Sequence, residues 1–179
     1  MAKQIRITFE KGGSFLADML EEQAPEICKL VWSMLEKPWS ETFIHSNIMG
    51  FLVESPYFPV PEDASLPLEN LRCFSENGDI AVISPAEYRE MSIKGYLPLC
   101  LTAWHAVKLP TLEKLTGKKI DVSHDTGENV EQQYKKNMFE TCRANVFARI
   151  RAEQVEEASN VVERIRTDGM ERFTIERAE

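Results

Sequence analysis

The chain opens on an alternation of period two. Ile5, Ile7 and Phe9 fall on one side and Arg6, Thr8 and Glu10 on the other, the pattern of a half-buried strand. Lys11-Gly12-Gly13 supplies glycines that tolerate positive φ, and Phe15, Ala17 and Met19 resume the alternation, so the first 19 residues read as a hairpin. The period then changes. Ile27, Leu30, Val31, Met34 and Leu35 recur at helical spacing behind Pro25, with Glu21, Glu22 and Glu26 near the helix's positive end and Lys37-Pro38 as its stop.

The middle of the chain reads as strands between punctuated connections. Gly50 to Val53, Ile80 to Ile83 and Leu97 to Thr102 are short apolar runs, and PYFPVPEDASLP, SENGD and SPAEYREMSIKGY lie between or beside them. Val146 to Ile150 is a further strand. A second helix follows, with Val155, Ala158, Val161, Val162 and Ile165 as its stripe and Asp168-Gly169 as a left-handed stop, before RFTIERA closes as a final strand. Many strands with two one-sided helices predict a mainly β fold, a closed barrel of about eight antiparallel strands with helices near 25–36 and 153–167. The polar stretch at 111–143 departs from this pattern. Its weak helical stripe of Val130, Tyr134 and Met138 marks a helical insertion within a single domain spanning 1–179.

Composition narrows the function classes. The 179 residues are 43% hydrophobic and 28% charged, which suits a globular domain, and no apolar run is long enough for a membrane span. The start, MAKQIRITFEKGG, lacks the apolar core of a signal peptide, so the expected location is the cytoplasm with no membrane partner. A formal net charge of −8 with scattered basic residues argues against a nucleic-acid partner. Cys28, Cys73, Cys100 and Cys142 form no CxxC pair, and His45, His105 and His124 have no ligand spacing. The sequence therefore predicts no metal, no cofactor and no catalytic residue.

The order of these elements resembles the cyclophilin fold. The hairpin, the APEICKLVWSML helix, IHSNIMGFLVE, GDIAVIS, NVFARI, VVERI and FTIERAE follow that fold's landmarks in sequence. More closely, ITFEKGGSFLADMLEEQAPEIC and NVFARI look like a family of uncharacterised bacterial proteins with a cyclophilin-like fold. The resemblance covers nearly the whole chain outside 111–143 and implies a closed cyclophilin-like barrel. In proline-isomerising cyclophilins the line matching 44–54 runs Phe-His-Arg, three residues, Gly-Phe-Met, one residue and Gln. Here Ile44, His45 and Ser46 take the first three places, Gly50, Phe51 and Leu52 the next three, and Glu54 the place of the glutamine. The apolar wall is kept, but the arginine that would stabilise the rotated amide is replaced by an uncharged serine. Loss of one such donor costs on the order of a hundred- to a thousandfold in rate.

The expected function is binding of a small molecule or peptide segment without prolyl isomerase activity. Its expected ligand contacts are His45, Phe51, Glu54, Tyr57, Trp104 and His105, aromatic and polar groups gathered near one rim. The resemblance leaves two alternatives: a hydrolase or accessory subunit of a metabolic enzyme acting on amide bonds, and an oligomeric scaffold. Val130, Tyr134, Met138 and Phe139 in the insertion need a burial partner, which predicts a homo-oligomer, a two-fold dimer being the commonest form.

Overall fold

The computed structural model describes residues 2–45, 52–62, 64, 66–72, 77–83, 95–103 and 144–178. Nine strands form one sheet in the order β2-β1-β9-β3-β4-β7-β6-β8-β5, and an added pairing of β2 with β8 closes eight of them into an antiparallel barrel. The strands are β1 (Gln4–Phe9), β2 (Ser14–Met19), β3 (Trp39–His45), β4 (Leu52–Pro59), β5 (Leu71–Arg72), β6 (Asp79–Ile83), β7 (Tyr96–Thr102), β8 (Ala144–Ile150) and β9 (Met170–Ala178). β5 adds a short flap to β8 outside the closed ring.

The alternation in the opening residues is the alternation of the wall. Ile5, Ile7, Phe9, Phe15, Ala17 and Met19 are all buried, and the hairpin turns through Gly12 and Gly13 at φ of 101° and 105°. Those inward positions join Phe43, Val53, Phe58, Leu97, Leu99, Leu101, Phe147, Phe173 and Ile175 in one cluster. Phe9, Phe43 and Phe173 are its aromatic centre, with the Phe43 and Phe173 rings stacked at 3.9 Å.

Both helices turn their stripes into the same cluster. α1 (Pro25–Met34) contributes Ile27, Cys28 and Val31, and α2 (Val155–Asp168) contributes Ala158, Val161, Val162 and Ile165. Ala24 precedes α1 and offers no side-chain cap. The carboxylate of Glu69 takes that role from a distance, accepting the backbone N–H groups of Glu26 and Ile27 at 3.0 Å each. Gly169 ends α2 at φ 94°, and its N–H donates to Ile165 O. Cys28 donates its thiol to Phe147 O at 3.3 Å, and burial pushes its pKa up to about 12. It is a packing residue and no nucleophile.

The stretch around Tyr57 differs from expectation. Tyr57 and Phe58 read in sequence as part of a proline-bounded loop, but they belong to β4, and Phe58 is fully buried. A bulge between Ser55 and Phe58 places the extra residues outside the ladder to β7, which accommodates Pro56 where a regular strand would not. The insertion at 111–143 lies outside the described residues.

Candidate functional site

β3 and β4 are neighbours that pair only at one end. Their ladder consists of Ile44 with Glu54 and His45 with Val53, while Trp39–Phe43 pairs with β9 alone. The sequence explains the parting. Pro56 and Pro59 have no N–H to offer β3, and the Ser55–Phe58 bulge turns β4 away. On the β3 side, the N–H of Thr42 finds its acceptor in Glu41 Oε1 at 3.0 Å, where a regular ladder would supply a carbonyl.

The gap forms an open groove of about 490 Å³ lined by Trp39, Glu41, Tyr57, Pro59 and Tyr96. Trp39 and Glu41 lie across from Ile175 and Phe173, on the core-facing side of β3. Pro59 and Tyr96 pair with each other one position beyond the inward pair Phe58 and Leu97, on the outward side of their strands. Only a break in the wall brings inner and outer faces to one cavity. Its volume falls in the range of small-molecule sites.

The ring positions have identifiable causes. Trp39 packs edge-on against Phe58 at 5.0 Å and Phe173 at 5.3 Å, so core aromatics fix its indole. Tyr57 and Tyr96 meet at 6.1 Å with planes 87° apart and form a corner. Glu41 and Pro59 complete the lining.

The structure divides the residues expected from sequence. Phe51, Trp104 and His105 lie outside the described residues, as does Ser46. His45 is exposed and Glu54 half-buried, and cross-strand pairing sends their side chains to opposite faces of the wall. Tyr57 stands in the groove. Six residues of strand, about 20 Å, separate Trp39 from His45, so the groove and the His45 end are distinct places. Trp39, Glu41 and Tyr96 escaped the sequence reading. For Trp39 and Tyr96 the signal that could have found them is an aromatic next to a helix or turn stop, Trp39 after Lys37-Pro38 and Tyr96 after Gly95, whereas Glu41 carries no such signal.

Burial raises the pKa of Glu54 above the usual carboxylate range, and attraction from His45 opposes that shift. A raised folded-state pKa gives a stabilising contribution that is complete below the unfolded pKa and is lost as pH rises through the folded one. Glu54→Gln should therefore raise the melting temperature at neutral pH. The gain should shrink as pH falls towards the unfolded carboxylate value of about 4.3. A gain that is the same at every pH would contradict this reading of Glu54.

Among the described residues no group of three or more His, Cys, Asp or Glu could hold a metal ion, and no helix is long and apolar enough to cross a membrane. A family model described as protein of unknown function (DUF3830) matches residues 7–106, more than half of the chain. The chain belongs to the DUF3830 family. That match contains the end of β1 and all of β2 to β7, and thus every residue lining the groove. No curated protein matches this DUF3830 chain.

Two solved structures are similar to this chain. McbB in complex with tryptophan matches with a TM-score of 0.58 at 14% identity, over 97% of this chain and 44% of that one. The DUF3830 chain thus spans less than half the length of McbB. The hypothetical protein AF2241 from Archaeoglobus fulgidus, a solution structure, matches with a TM-score of 0.48 at 20% identity, over 99% of this chain and 95% of that one. At 14% identity the likeness to McbB concerns the fold alone.

Proposed function

We propose that this DUF3830 protein binds a small molecule or a short peptide segment in the β3–β4 groove of a cyclophilin-like barrel, and that it does not isomerise proline. The groove carries the reading. It combines a site-sized volume, three aromatic side chains and one carboxylate, the mixture of flat apolar walls and few polar groups that ligand sites use. McbB, similar in fold, is described in complex with tryptophan, but the reading here rests on this chain's own side chains.

The absence of isomerase activity rests on Ser46 in the arginine's place and Glu54 in the glutamine's. An assay on a proline-containing peptide should stay at background, and robust turnover by the natural sequence would overturn this part. Self-association through 111–143 is a further part of the proposal, which light scattering of the full chain beside a version lacking that stretch decides.

Binding is tested by a thermal-shift screen of the full chain against metabolites and short peptides, repeated on Tyr57→Ala. A ligand of the folded state at about a hundred times its Kd stabilises by about 2.7 kcal/mol, a readily measured rise. The expected result is at least one compound that stabilises the natural protein and stabilises the variant less. Compounds that act equally on both would place binding elsewhere.

A further inference from the structure

We propose that the groove selects an organic cation, a quaternary or alkylated ammonium carried on a small molecule. This inference rests on the reading of the groove as a ligand site and names the ligand's chemical class. Exposed large apolar residues are few among the described residues: Tyr57, Leu68, Tyr96 and Met170. Two of the four meet in one corner, ring against ring at 87°, with Trp39 as a third wall. Aromatic faces carry negative charge density, so a cluster of them with open space between is a favourable place for a cation. The indole cannot swing away, since Phe58 and Phe173 hold it from behind.

Glu41 supplies the second, independent argument. Among the described residues no Lys or Arg lies within ion-pair distance of it; Glu22 and Glu36 also lack one but are exposed, whereas Glu41 is half-buried, and the buried Glu171 and Asp79 each have a basic partner. Glu41 Oε1 accepts the Thr42 N–H, a neutral donor that leaves the negative charge without a cationic partner among the described residues. An anionic ligand would meet this carboxylate head-on. A neutral one could donate a hydrogen bond to it but would leave its charge unbalanced. A metal ion would find a single carboxylate where it needs several oxygen donors. An alkylated ammonium satisfies both halves of the site, because it is too weakly hydrated to resist aromatic contact and still carries the charge that Glu41 lacks a partner for. The formal net charge of −8 adds a field that favours cations. At about 490 Å³ the groove has room for an ammonium head and an attached tail.

Calorimetric titration of the full-length protein tests this with choline and with its uncharged carbon isostere, 3,3-dimethylbutan-1-ol. Choline should bind about tenfold or more tightly than the isostere, and added salt should weaken choline alone. Glu41→Gln should reduce choline affinity about tenfold and leave the isostere unchanged. Tyr57→Leu should weaken choline as well. A short peptide bearing trimethyl-lysine forms a second arm: equal or weaker binding than choline supports a free small molecule, and binding tenfold tighter overturns that source in favour of a modified protein tail. Equal affinity for choline and the isostere would overturn the preference for cations and leave the ligand-site reading standing. No binding of choline would overturn the inference outright, and the ligand-site reading would then be decided separately by the metabolite screen.

Discussion

Phe173→Ala should cost about 3 to 5 kcal/mol of folding stability, the range for truncating a fully packed aromatic. Phe173 is 2% exposed, lies stacked on Phe43 at 3.9 Å, and touches Phe9 and Trp39 with its other surfaces. Its removal leaves a void bounded by rigid rings on a wall that cannot collapse without breaking its ladders to β1 and β3. Phe173→Leu keeps most of the volume and should cost less than about 2 kcal/mol. Denaturant unfolding measures both. Because Trp39 rests on Phe173, the alanine variant should also loosen the groove, and its loss of ligand affinity should exceed that of the leucine variant.

Arg164→Ala should destabilise the fold by about 3 kcal/mol, because it strands a buried charge. Glu171 sits at 3% exposure on β9, and Arg164 from α2 meets it with two bonds of 2.8 Å, Nε to Oε2 and Nη2 to Oε1. Arg164 also donates to Gly12 O, and the Lys11 N–H donates to Glu171. One guanidinium thus ties the last helix to the first hairpin across the barrel end. Replacing both partners by apolar residues, Arg164→Met with Glu171→Leu, removes the desolvated pair together and should cost less than Arg164→Ala alone. A double replacement as damaging as the sum of the singles would show that the ion pair itself, rather than the stranded charge, carries the energy.

The elements legible in the sequence were those whose burial has a strict period. The hairpin at Ile5 to Met19 and the stripes at Ile27 to Leu35 and Val155 to Ile165 are one-sided in sequence, because each rests one face on the core. β3 was harder to see. In WSETFIH only Phe43 is fully buried, since half of the strand borders the groove and is released from strict alternation. β4 was obscured by Pro56 and Pro59, which argue against a strand until the bulge is known. The same two prolines open the groove, so the feature that hid the strand is the one that made the opening. Tyr96 reaches the groove only by pairing with Pro59, a contact between residues far apart in sequence that no local pattern records. Tyr57 was singled out as an aromatic beside the line at 44–54, and its partners Trp39 and Glu41 lie upstream, where no motif draws the eye.

Whether a ligand occupies the β3–β4 groove is decided by amide chemical-shift mapping of the isotope-labelled full chain with the strongest compound from the screen. Shifts should concentrate at Trp39 to Thr42, at Tyr57 and at Tyr96, saturating with the compound's calorimetric affinity, while the Gln4–Phe9 strand and the α1 helix stay unmoved. Saturable shifts that spare those residues and gather at another place on the barrel would contradict binding in the groove.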